Sequence, residues 1–288
     1  MTTLTTYILP VSGPQFPLQL FTIRKLSKAA VELGQETAFI PDGVLASSGG
    51  TVASILGIGA RWNYRKLDQL LYVVSSEKVF SSWAYGVPGY VNILTVGSIF
   101  TVPTNINTLI TDIIPTKRML FDTELVIGTF NTQLRIDTNF STWTTDTTLY
   151  TRDSVAYCDY NFEAITKASV ASFALPFVLP PEKITTSDGN DYTYQDGGLY
   201  APSPYTSLGT KLMTNVDEFD VLDPPFLKFI YFVSCINAEY TQIFFLRPIS
   251  DLINSACIRE IDMIIQQFIV RVPNHIVLNI AKATDEDI

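Results

Sequence analysis

The stretch Phe39-Ile40-Pro41-Asp42-Gly43-Val44-Leu45-Ala46-Ser47-Ser48-Gly49-Gly50-Thr51-Val52-Ala53-Ser54-Ile55-Leu56 decides the fold. An apolar run ends in small residues, turns through Ser47-Ser48-Gly49-Gly50, and restarts with helical spacing at Val52, Ile55 and Leu56. Small residues on both sides of one serine suit a sharp strand-to-helix turn, because a larger side chain would collide where the strand doubles back. Such a turn lifts the serine hydroxyl clear of the sheet, at the positive end of the new helix. The same residues also suit a glycine-rich connection without chemistry, and the stretch alone leaves both readings open.

Upstream, Tyr7-Ile8-Leu9 reads as a short buried strand broken by Pro10, followed by a loop through Pro17. Leu20, Ile23, Leu26, Ala30 and Leu33 then fall at spacings of three and four, an amphipathic helix closed by Gly34. Strand, helix, strand, helix is the opening of a sheet covered by helices. Downstream, 65–74 and 161–172 read as short helices, and 104–121 has helical spacing up to Pro115. Leu125–Phe130 and Gln133–Ile136 read as two strands across a turn, and Thr-, Asp- and Asn-rich 138–154 as a solvated loop. A turn at Asp188-Gly189-Asn190 leads into a strand at Tyr192-Thr193-Tyr194, and Phe226–Ile236 reads as a strand buried on both faces. Ser250 or Asp251 caps a long helix over 248–272, stopped by Pro273. With no internal repeat and no linker-like shift in composition, 1–288 is expected to form a single domain.

Of the 288 residues 47% are apolar and 16% charged, which suits a chain that buries a large core. A net charge of −9 leaves no basic excess to displace counterions from a phosphate backbone, so nucleic acid is not an expected partner. It also argues against simple electrostatic docking on anionic membranes. Cys158, Cys235 and Cys257 are odd in number and lack a CxxC pair, which suits reduced thiols and no zinc site. We find no signal peptide and no apolar run of spanning length, so the expectation is an intracellular, cytoplasmic protein. Asn139-Phe140-Ser141 matches a glycosylation sequon, read as fortuitous in that compartment. The acidic group Asp217, Glu218, Asp220 and Asp223 lacks the glycine and spacing of a calcium loop and reads as solvated surface. The aromatic-rich segment 79–103, with Trp83 and Tyr85, reads as a packed flap or a lipid-facing surface, packing being the commoner explanation, and is a candidate wall of the substrate mouth.

The one histidine, His275, lies just beyond Pro273. A Ser-His-Asp triad would have to use it; a surface or packing residue is the favoured reading. If Ser48 is a nucleophile, its base is another residue.

A second stretch carries chemistry: Ala171-Ser172-Phe173-Ala174-Leu175-Pro176-Phe177-Val178-Leu179-Pro180-Pro181, then Tyr194-Gln195-Asp196-Gly197-Gly198. Read alone, Asp196-Gly197-Gly198 is an ordinary turn signal. Together with the serine turn, these motifs resemble the patatin-like phospholipase family in order and spacing over roughly residues 5–210. That family shows a GxSxG serine elbow, an Ala-Ser-x-Ala-x-Pro segment leading to paired prolines, and an Asp-Gly-Gly/Ala motif. Here the elbow is Ala46-Ser47-Ser48-Gly49-Gly50, with Ala46 in place of the first glycine.

The resemblance implies a patatin-like three-layer α/β fold, with a central, mostly parallel sheet flanked by helices. It implies a Ser-Asp dyad without histidine, with Ser48 as nucleophile, Asp196 as base, and Gly50, Gly197 and Gly198 as supporting glycines. The substrate would be a phospholipid or other lipid ester, reached by peripheral membrane contact, with no cofactor and no metal; the sequence names no protein partner. The family's glycine-rich oxyanion loop should fall at Ser12–Pro17. Only Gly13 survives there, and Pro14 has no N–H to donate. The N–H groups of Gly13, Gln15 and Gly49, or the Gln15 amide, are the candidates to replace it. Two expectations follow: a lipid acyl hydrolase working through an acyl-serine, or a catalytically impaired patatin-fold protein that binds or builds.

Overall fold

In a computed structural model, the structure describes residues 4–12, 16–73, 113, 123–142, 156–159, 164–176, 179–199, 227–234 and 275–280. The segment 79–103, most of the helix read at 104–121, the acidic group at 217–223 and the helix read at 248–272 lie outside them.

The chain opens as read: β1 (Leu4–Leu9), α1 (Phe16–Glu32), a single helical turn α2 (Glu36–Phe39), β2 (Gly43–Ser47) and α3 (Gly49–Gly59). Helix α1 carries Pro17 in its first turn, where a missing N–H costs nothing. It stops at Gly34, whose φ of 65° lets the Gly34 and Gln35 N–H groups turn back to the carbonyls of Val31 and Ala30. Phe16, Leu20 and Ile23 are buried, but the apolar stripe ends early: Leu33 lies beyond the helix and is 72% exposed. Helix α4 (Tyr64–Val73) follows, held to α1 by the Arg24–Asp68 ion pair.

The remaining strands are β3 (Glu124–Asn131), β4 (Ile136–Ser141), β5 (Ala156–Asp159), β6 (Glu182–Thr185), β7 (Asp191–Asp196), β8 (Leu227–Ser234) and β9 (His275–Ile280), with α5 (Ile165–Ser172) between β5 and β6. The main sheet runs β5-β4-β3-β2-β1-β8-β9. Five of the eight strand pairings among the described residues are parallel. This is the expected α/β architecture, a mostly parallel sheet flanked by helices. Strand β8, read from its continuous apolar run, lies inside the sheet between β1 and β9.

Two readings of the middle region are corrected. Gln133, Leu134 and Arg135 form the β3–β4 turn rather than a strand, with Arg135 at φ 57°. Residues 138–142, read as the start of a solvated loop, are buried, and Thr138–Ser141 belong to β4. Their polarity misled because the sheet supplies partners: Thr142 Oγ1 accepts from Leu125 N–H at 2.8 Å, and Thr138 O accepts from Thr129 Oγ1 at 2.6 Å. Asn139 is fully buried within that strand, so the sequon is closed in the folded protein.

One topological detail positions everything that follows. Strand β4 occupies one edge of β3 along 126–131. On the opposite edge, β2 pairs with 124–128, ending at Ser47↔Gly128, and antiparallel β7 pairs with 129–131, ending at Thr129↔Asp196. The two strands therefore run toward each other along one edge and stop head to head.

Candidate active site

Where β2 stops, the backbone turns through Ser48 at φ 53° and ψ −128°, then enters α3 at Gly49. A residue with a Cβ in so sparsely populated a region costs about 1–3 kcal/mol and persists only where its surroundings over-determine it. Three features do so. Gly50 packs against β1, and a Cβ there would lie 2.6 Å from Pro10 O and closer still to Leu9 O. The Ser48 N–H donates to Ser172 Oγ at 2.9 Å, and the Ser48 carbonyl accepts from Thr51 N–H at 3.0 Å. Ala46 is fully buried between Leu9 and Ile127, so its methyl fits where the family pattern has glycine. Ser47, the neighbouring serine, is buried with its hydroxyl toward Gly128 O at 3.4 Å.

Where β7 stops, Asp196 is completely buried and its N–H donates to Ala174 O at 3.1 Å. Oδ1 accepts from Gly198 N–H at 2.8 Å. Gly197 lies against β3, where a Cβ would meet Gly128 C at 2.6 Å; at Gly198 it would meet Val11 Cγ2 at 2.8 Å. Both glycines therefore permit a close approach.

Burial raises the Asp196 pKa to about 7, against smaller opposing effects of the Ser48 hydroxyl and the Gly198 N–H. The Ser48 hydroxyl is thus near enough to favour the carboxylate, yet Oδ2 has no partner in full hydrogen-bond geometry. Ser48 and Asp196 are in proximity without a formed hydrogen bond between them.

Ser172 Oγ ties the Ser48 turn to β3. Its single proton goes to Gly128 O at 2.7 Å, so it accepts from both Ser48 N–H and Thr51 Oγ1, each at 2.9 Å. Sequence reasoning placed Ser172 in a motif without a task; the signal was its fixed offset from Ala174. Gly128 was missed, read only as part of a strand.

Of the residues named from sequence, Ser48, Gly49, Gly50, Ala46, Asp196, Gly197 and Gly198 gather where β2 and β7 meet. Gly49 opens α3, so its N–H has no intrahelical partner. Gly13 and Gln15 lie outside the described residues. His275 opens β9, three strands from β2, about 14 Å at ordinary strand spacing. It is in register with Phe229, Thr6 and hence Gly43, at the far end of β2 from Ser48. That backbone position is beyond hydrogen-bond reach of Ser48. No group of three or more His, Cys, Asp or Glu among the described residues is arranged to hold a metal ion. No helix among them is long and apolar enough to cross a membrane.

A family model described as patatin-like phospholipase matches residues 27–208, a span that contains Ser48 and Asp196 and begins after the Gly13-Pro14 loop. No curated protein sequence matches the chain. Among solved structures, VipD from Legionella pneumophila is similar over 81% of this chain and 50% of its own, at TM-score 0.42 and 14% identity. The chain thus spans about half the length of that protein.

Proposed function

The chain belongs to the patatin-like phospholipase family, a family of lipid acyl hydrolases, and we propose that it cleaves carboxylic esters of lipids through an acyl-Ser48 intermediate. Asp196 is the base. The Ser48 hydroxyl attacks the ester carbonyl while its proton passes to the Asp196 carboxylate, and the alcohol leaves with that proton as the tetrahedral intermediate collapses. Water then attacks the acyl-serine while Asp196 takes its proton, and collapse breaks the bond to Ser48 Oγ, which receives that proton as the fatty acid leaves. The N–H of Gly49 serves the developing oxyanion, and the N–H groups of Gly13 and Gln15, or the Gln15 amide, are the further donors. The substrate is a phospholipid or other lipid ester met at a membrane surface, and 1–288 acts as one domain without metal or cofactor.

The observation that carries this reading is the collision of β2 and β7 on one edge of β3, which brings a strained serine and a buried carboxylate of pKa about 7 together. An ordinary carboxylate of pKa about 4 is too weak a base for a serine; one near 7 is still half ionised in neutral water and holds a proton far better. A second reading, an impaired member that binds without turnover, draws on Pro14, which offers no N–H in the loop. Losing one oxyanion donor costs about 3–4 kcal/mol of transition-state stabilisation.

A fluorophosphonate probe separates the two, because labelling requires both the base and a stabilised phosphoryl oxygen. Wild-type protein is expected to label, Ser48→Ala to abolish labelling and ester hydrolysis, and Gln15→Ala to lower both. Well-folded wild-type protein that neither labels nor hydrolyses any ester would leave the impaired reading.

A further inference from the structure

The end of α5 touches both halves of the site through the main chain. Ser172 Oγ accepts from the Ser48 N–H at 2.9 Å, and two residues later the Ala174 carbonyl accepts from the Asp196 N–H at 3.1 Å. The same Ser172 hydroxyl donates to Gly128 O at 2.7 Å, and Gly128 is the β3 residue opposite the end of β2 and the one against which Gly197, just past β7, packs. Every hydrogen-bonding capacity of this hydroxyl is spent: one proton given, two lone pairs taken by Ser48 and Thr51. Ser172 and Thr51 are fully buried and Ser48 nearly so, which leaves water no ready route to replace a lost partner.

We infer that Ser172 is a positioning residue for the reaction: its hydroxyl pins the Ser48 main chain to β3 and so sets the approach of the serine to Asp196. It touches neither substrate nor the transferred proton. The strand pairing does not fix the Ser48 N–H, because β2 ends at Ser47, and the α3 ladder holds Ser48 only through its carbonyl, which accepts from Thr51 N–H at 3.0 Å. With the Ser172 hydroxyl removed, the Ser48 N–H loses its partner and the unusual backbone turn loses one of its restraints. The side chain then swings away from Asp196.

The inference rests on the hydrolase reading, and its test pairs two variants of similar structural cost. Ser172→Ala removes the bond to the Ser48 N–H. Thr51→Val removes the neighbouring bond to Ser172 and leaves that N–H bonded. Ser172→Ala should slow fluorophosphonate labelling and kcat by about 100-fold, the penalty of a misplacement near 1 Å, with KM unchanged. Thr51→Val should lose stability to a similar degree while changing the rate less than about threefold. Amide hydrogen exchange at Ser48 reads the clamp without any catalysis: it should accelerate in Ser172→Ala and stay slow in Thr51→Val. Equal rate losses in both variants, or full labelling by folded Ser172→Ala, would overturn the inference. If the wild type itself never labels, the hydrolase reading fails instead, and unchanged Ser48 exchange in Ser172→Ala would still remove the clamp.

Discussion

The two glycine-flanked turns that meet beside Gly128, Ser48-Gly49-Gly50 and Asp196-Gly197-Gly198, look alike in sequence and are stressed in different ways. At the first, the side chain is a neutral hydroxyl and the cost lies in the backbone, at φ 53°. At the second, neither Asp196 nor its two glycines has a positive φ, and the cost lies in a carboxylate with no exposure at all. The difference teaches how the fold divides the work on the proposed mechanism. Geometry makes the serine available, and burial makes the aspartate basic.

The largest expected effect breaks the second turn. Asp196→Asn keeps the shape and the Oδ1 contact to Gly198 but cannot take a proton, so ester hydrolysis should fall by about 10²–10⁴-fold. A loss under tenfold in a folded variant would remove Asp196 as the base.

Its stability should move the other way, in a defined window. The folded pKa is about 7 against 3.8 for a free aspartate, so the native state holds a proton that the unfolded chain has released. Stability therefore falls as pH rises from about 4 to 7, and this contribution is flat above that. Asparagine has no such titration. The denaturant stability of Asp196→Asn relative to wild type should rise across that window, by on the order of 4 kcal/mol at most. Wild-type labelling should rise tenfold per pH unit below 7 and level off above it. Parallel stability curves for the two proteins would mean that the carboxylate is not strained.

The glycines sharpen the contrast by what a methyl would strike. Gly50→Ala meets main chain of β1, and Gly197→Ala meets main chain of β3; each should cost about 3 kcal/mol or slightly more by denaturant unfolding. Gly198→Ala meets side-chain atoms instead, Val11 Cγ2 at 2.8 Å and Val11 Cβ at 2.9 Å, and should cost less, about 2 kcal/mol. An equal cost at all three positions would show that both turns adjust freely.

Much of this was legible because it was local. The serine turn needs small residues, and the sequence places them beside Ser48; the α1 stripe and the β6–β7 turn are periodic or glycine-marked within a few residues. The meeting of β2 and β7 was not legible from residue patterns, since it depends on register across a strand about 80 residues from Ser48 in one direction and more than 60 from Asp196 in the other; the family resemblance supplied the pairing instead. Strand β4 was read as loop because polar residues signal solvent until partners such as Thr129 and Leu125 are known. Ser172 stood in plain view, but its hydrogen bonds reach back to Ser48 and Gly128, and no spacing rule announces contacts of that range.

The smallest effect isolates the backbone at the first turn. Ser48→Ala and Ser48→Gly both delete the hydroxyl, so both abolish labelling and remove the same influence on Asp196. Only the glycine variant also removes the Cβ that makes φ 53° and ψ −128° costly. Helix capping does not confuse the comparison through the side chain, because the Ser48 side chain makes no capping hydrogen bond to α3. Against the relief of about 1–3 kcal/mol stands the greater freedom that glycine gives the unfolded chain, about 0.5–1 kcal/mol. Ser48→Gly should therefore be more stable than Ser48→Ala by about 1 kcal/mol in denaturant unfolding, a few degrees in Tm at most for a chain of this size. An alanine variant as stable as the glycine one would mean that the turn stores no strain. The availability of Ser48 would then rest on its hydrogen bonds to Ser172 and Thr51 alone, and the contrast between the two turns would reduce to the buried charge.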